Sequence, residues 1–173
     1  MAYKYSYGDE KEVNLPKLPT NRNFWKFWIL NVLTFGIYSI FFFIPFAFDL
    51  DTVSPKRDGT KTFNYFAAYI LAGITGSIVY WIWFYMLTER IEDAIAERHI
   101  NYDFTLGDFW KWLFCGTLIF AVPFLFFLNA PVDNYIWLPF LILMSVGPIV
   151  YHCKLCKAMN LLCAAYNEKN EAK

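Results

Sequence analysis

The sequence predicts an all-α, polytopic integral membrane protein with four hydrophobic spans. Three observations predict it: an excess of apolar residues, long runs without charge, and charges confined to the stretches between those runs. Of 173 residues, 58% are apolar and 22% aromatic, while 17% carry charge; a soluble domain averages roughly 45–50% apolar and about 25% charged. A domain of this length leaves much of its surface to solvent, so 19 Phe, 12 Tyr and 7 Trp exceed what one water-soluble core hides. Lipid is the solvent that fits. Eight Gly, eight Pro and four Cys exclude a collagen-like fibre, a disordered chain and a disulfide-stapled scaffold. Fifteen basic against fifteen acidic residues leave no basic field to hold nucleic acid.

Residues 1–22 read as a polar tail with Asp9, Glu10, Lys11 and Glu12, and carry none of the hydrophobic stretch of a cleavable signal peptide. A single helical domain is expected over 23–167, followed by a polar tail at 168–173. The first apolar run, Phe24 to Phe48, is interrupted only by Lys26, and the second, Phe63 to Leu87, has no charge. Each exceeds the roughly 20 helical residues that cross a hydrocarbon core of about 30 Å. Phe109 to Leu128 carries only Lys111, and Tyr135 to Tyr151 carries none; the turn formers of Asn129 to Asn134 between them predict a hairpin. Past Leu87, Ile91, Ala94 and Ile95 keep helical spacing, so the second helix is expected to run on to about His99-Ile100-Asn101. In the connection over 49–62, Ser54-Pro55 and Asp58-Gly59 are turn signals, and Thr60 or Thr62 is placed to cap the next helix.

Basic residues set the orientation. Four spans put ten Lys and Arg on the side of both termini and three on the other, so both termini are expected in the cytoplasm. Aromatic clusters at Phe24-Trp25, Trp81 to Tyr85 and Phe109 to Trp112 suit headgroup level.

The sequence also repeats itself. Phe24-Trp25-Lys26 returns as Phe109-Trp110-Lys111, and a Gly followed by Tyr recurs at Gly36 and Tyr38, Gly76 and Tyr80, and Gly147 and Tyr151. This suggests three related units at about 20–53, 60–99 and 105–166, the third lengthened by an insertion around Pro123 to Ser145. A rival topology follows, in which each unit is a helical hairpin turning at Gly36, Gly76 and either 129–134 or Gly147. All thirteen Lys and Arg outside the apolar runs then share one side.

The residues Thr34-Phe35-Gly36-Ile37-Tyr38, Asp58 to Thr62 with Asn64-Tyr65, Arg90-Ile91, Phe109-Trp110, Lys154 to Asn160 and Tyr166-Asn167 resemble the bacterial membrane proteins of domain-of-unknown-function family 4234. The resemblance covers roughly 17–167. It implies a small multipass protein of the bacterial cytoplasmic (inner) membrane and carries over no activity. Relatives often have an N-terminal zinc ribbon, whereas residues 1–22 contain no Cys.

The chemistry-bearing clusters are weak. His152, Cys153, Cys156 and Cys163 have metal-like spacing, but one helix offers too few convergent ligands for tetrahedral zinc, so they read as packing, with no metal and no cofactor expected. Asp49, Asp51, Arg90, Glu92, Lys154, Lys157 and Asn160 lie at helix ends and read as solvated ends or as a polar vestibule and ion-pair network between the repeats. Asn31 and Asn64 read as hydrogen-bonding glue between helices. Gly36, Gly76 and Gly147-Pro148 are breaks of the kind around which transporters bind substrate. No catalytic motif is present, so no enzyme is expected. The expected role is an oligomeric pore, channel or small-solute permease in the lipid bilayer. The alternative is a membrane-embedded structural or signalling module that binds a membrane-protein partner or lipid.

Overall fold

Asn23 starts the first helix. Its Oδ1 accepts the Trp25 N–H at 2.8 Å, and helix α1 runs Phe24–Leu33. Thr34 ends it: its hydroxyl donates to Leu30 O at 2.8 Å, Phe35 and Gly36 take φ of +50° and +91°, and the Gly36 N–H donates to Asn31 O at 2.8 Å. This is the six-to-one bond of a left-handed helix terminus. Helix α2, Tyr38–Val53, then runs back along α1. The Phe27 ring lies 4.5 Å from Phe42 and 5.4 Å from Phe43, whereas fifteen residues of one continuous helix measure about 22 Å. The run from Phe24 to Phe48 is therefore a hairpin and not one straight span.

The same device recurs between Asn64 and Ile78. Asn64 caps α3, Tyr65–Ile74, through the Phe66 N–H at 2.8 Å, so it is a cap and not glue within a span. Thr75 donates to Leu71 O at 2.8 Å, Gly76 and Ser77 take φ of +59° and +72°, and the Ser77 N–H reaches Ala72 O at 2.7 Å. Helix α4, Ile78–Glu97, folds back, with Trp83 4.8 Å from Tyr65 and its indole N–H donating to Phe63 O at 2.7 Å. It extends past the apolar run and ends at Arg98 and His99, the latter at φ +53°, as its sequence predicts. The left-handed pair is Phe35-Gly36 in one turn and Gly76-Ser77 in the other. Gly36 thus corresponds to Ser77, and matching it to Gly76 is out of register by one residue. The tyrosines shift likewise: Tyr38 corresponds to Val79, and Tyr80 to Ser39.

The third unit is longer. Helix α5 (Leu106–Asp108), a π-helical turn (Phe109–Cys115) and α6 (Gly116–Phe127) form one arm, and α7, Trp137–Glu171, the other. Gly147 is not a break. It lies with Pro148 inside α7, where a Cβ would fall 3.0 Å from Gly116 Cα and collide with Trp112 O, so its role is to let α7 cross the first arm closely. Gly73 makes no such approach; nothing lies within 4 Å of a Cβ there. This computed structural model describes residues 17–54, 61–127 and 137–171. The expected turns at 55–60 and 129–134, residues 1–16 of the first tail and the end of the second lie outside them. Among the described residues there is no strand.

Backbone N–H groups join the units in a ring. Asp51 Oδ1, near the end of α2, accepts the Thr62 N–H at 2.9 Å ahead of α3. Glu92 Oε2 accepts the Leu106 N–H at 2.7 Å ahead of the third unit. Asn160 Oδ1 accepts the Arg22 N–H at 3.0 Å ahead of α1, while its Nδ2 donates to Arg22 O at 2.9 Å. Asn167 clasps Leu18 in the same two-way fashion, at 2.9 Å each way.

A candidate binding cavity on the axis of three hairpins

The second helices of the three units, α2, α4 and α7, bury residues in one pattern. Phe43, Phe84 and His152 are buried, and three, four and seven residues beyond each come Phe46, Ala47 and Leu50, then Leu87, Thr88 and Ile91, then Leu155, Cys156 and Met159, all buried. The first three meet one another: ring centroids are 5.2 Å apart for Phe43 and Phe84, 5.3 Å for Phe84 and His152, and 6.0 Å for Phe43 and His152. Three side chains from equivalent positions of three helices touch only where those helices surround a common axis. His152 is the polar member of an otherwise aromatic layer.

Towards the turns, a cavity of about 660 Å³ opens above this layer, within the size range of small-molecule sites. Its lining comes from all three units at corresponding positions: Asn31, Ala72 and Thr117; Gly36, Ser77 and Ser145; Ser39, Tyr80 and Pro148. Among the described residues, no Lys, Arg, Asp or Glu lines it. Asn31 spans its own hairpin, accepting the Ser39 N–H at 3.0 Å. Away from the turns, the layers of Ala47, Thr88 and Cys156 and of Leu50, Ile91 and Met159 are buried. A second hollow of about 320 Å³ lies at the polar end, against Asn21, Arg22, Cys153, Cys156 and Asn160, and Phe24 stands between the two.

The polar helix ends form a network. Arg22 pairs with Asp49, whose carboxyl burial pushes above its ordinary value against the opposing pull of that guanidinium. Arg90 binds Asp51 at 2.5 Å, together with Thr62 Oγ1 and Ser54 O. Lys154 binds Asp108 at 2.5 Å. Lys157 stands outside the network, over the Tyr102 ring at 5.0 Å. The spacing of His152, Cys153, Cys156 and Cys163 reflects core register: His152 and Cys156 occupy the layers of Phe43 and Ala47, Cys153 is half-buried, and Cys163 accepts from Arg22 at 3.4 Å. Among the described residues no three His, Cys, Asp or Glu side chains converge to hold a metal ion. Tyr151 is buried, 2.6 Å from the Thr88 hydroxyl. The sequence reading missed the cavity and its floor. The signal that finds them is the burial pattern that starts at Phe43 and repeats from Phe84 and from His152, which needs the correct register at the turns.

The fold defines the class, an all-helical protein in which one helix among the described residues, Leu138–Glu171, is long and apolar enough to cross a membrane. Residues 22–93 match the family described as Domain of unknown function (DUF4234). The match covers the first two hairpins and stops before the third, short of the wider span over which the sequence resembles the family. No curated protein and no solved structure matches the chain.

Proposed function

We propose that this protein is a non-enzymatic membrane-embedded binding module: three related hairpins inserted from one side of the bilayer, with an axial cavity that takes up a small amphiphile. The observation that carries this reading is the cavity's floor. A conduit needs a way onward, and below Phe43, Phe84 and His152 the axis is filled by two further layers of buried side chains. The geometry therefore favours a receptacle over a pore or permease through the chain.

Helix lengths support insertion from one side. The ten residues of α1 and of α3 reach about 15 Å, half the hydrocarbon core. Their turns are apolar and bare: Phe35 is 96% exposed and Ile74 77%, a surface that suits lipid. Broken backbone at that depth is tolerated where it lines a cavity, and Gly36 and Ser77 do line one. The polar ends and both termini then face the cytoplasm under the positive-inside rule, in the inner membrane that the family resemblance implies.

The test uses protein in phosphatidylcholine nanodiscs with a diazirine-bearing oleoyl probe. Saturable crosslinking of about one probe per chain to peptides containing Trp28 or Tyr69 is expected. Gly73→Leu, whose side chain enters open space on the cavity wall, is expected to reduce it about tenfold. Unsaturable labelling, indifferent to Gly73→Leu, together with ion or solute flux in liposomes, overturns the reading in favour of a channel.

A further inference from the structure

The cavity's hydrogen-bonding groups are not neutral in what they ask of an occupant. Ser39 Oγ donates to Gly36 O at 2.7 Å, Thr117 Oγ1 to Leu113 O at 2.6 Å and Ser145 Oγ to Leu141 O at 3.2 Å. Each hydroxyl hydrogen is committed to the backbone of its own unit, and Ser39 Oγ also meets the Tyr65 hydroxyl, which leaves the oxygens of Thr117 and Ser145 as acceptors towards the cavity. His152 completes the pattern. Its Nδ1 lies 2.7 Å from Pro148 O, and a carbonyl only accepts, so Nδ1 carries the proton and Nε2 of the neutral ring presents a lone pair. His152 is 8% exposed, yet no buried side-chain nitrogen or oxygen among the described residues lacks a partner. Nε2 makes no hydrogen bond, so it is reached from the cavity that His152 lines.

Resting on the binding role argued above, we infer that the site selects an uncharged amphiphile with a hydroxyl head, which donates to His152 Nε2 while its chain lies among Phe24, Phe27, Tyr65 and Tyr69. A charged headgroup finds no counter-ion among the described residues, none of whose charged side chains lines the cavity. An ester or ether head can accept from Ser77 or Tyr80 but brings no donor for His152 Nε2. A hydroxyl supplies the missing donor, and its own oxygen can accept from Ser77 or Tyr80 on the facing wall.

The experiment measures displacement of the diazirine probe in nanodiscs at pH 8 by three competitors of equal chain length: 1-monoolein, methyl oleate and sodium oleate. Monoolein is expected to compete about tenfold better than methyl oleate, the penalty of leaving one buried acceptor unmet, and better than oleate. In His152→Phe, which gives the third unit the ring the other two carry, monoolein and methyl oleate are expected to compete equally. The ¹⁵N resonance of His152 Nε2 is expected to move on adding monoolein and to stay put with methyl oleate. Equal competition by both in the wild type, or tighter competition by oleate, overturns this inference and leaves the binding role standing. Failure of every competitor and of the probe itself overturns the binding role.

Discussion

At the polar end, Arg90 is held by Asp51, Thr62 and Ser54, and the backbone ahead of each unit is bonded to the helix end of another. At the turn end the same helices splay around a cavity of about 660 Å³, and Phe35 and Ile74 stand almost bare. One end ties its donors and acceptors between the units; the other encloses a cavity and turns rings outward. Stability is concentrated where the units are tied together, and the adaptable, ligand-sized space lies where they are not. The turn end tolerates its gaps because the polar end fixes the geometry.

Three experiments break or sharpen this contrast. The largest effect is all-or-none. Cysteines introduced as Lys61→Cys and Glu97→Cys, both at exposed polar-end positions, are expected to react with an impermeant maleimide from the same face of the membrane, and one at Phe35 from neither. Labelling of residues 61 and 97 from opposite faces restores four plain spans. Next, Arg90→Ala strands the partly buried Asp51 carboxylate and is expected to lower unfolding stability by about 3 kcal/mol, read as a fall in thermal midpoint in detergent. Smaller is Gly147→Ala, expected to cost about 2 kcal/mol by forcing α7 off Trp112 and Gly116. If Gly147→Ala proves more damaging than Arg90→Ala, the tie holding the molecule together is the close helix crossing and not the polar end.

Much of the helical layout was legible in the sequence, for local reasons. The break at Gly36 rests on a bond to its near neighbour Asn31, and the polar continuation of α4 to His99 follows from its periodicity. Whether an apolar run crosses or folds back was not legible, because hydropathy is the same for a span and for a hairpin. The contact between Phe27 and Phe42 decides it, and that is tertiary. Gly147 misled because a glycine that permits a turn and one that permits a close crossing look alike until the partner, Gly116, is known. For the candidate site, Asn31 and the polar helix ends could be named. The layer of Phe43, Phe84 and His152 could not, since one of its members is not aromatic by the same chemistry and the shared register starts from a turn shifted by one residue.

The π-helical turn Phe109–Cys115 acts on helical phase as a frameshift acts on a reading frame. Phe109 is the counterpart of Phe24, but the next buried position, Leu113, lies one residue further along than the spacing from Phe24 to Phe27 requires, and Thr117 keeps that same extra residue relative to Asn31. One residue added to an ordinary helix rotates everything downstream by about 100° and would carry Thr117 off the cavity wall. Widening a single turn absorbs the extra residue locally, so the third unit takes on an insertion without moving its side chain out of alignment with the other two.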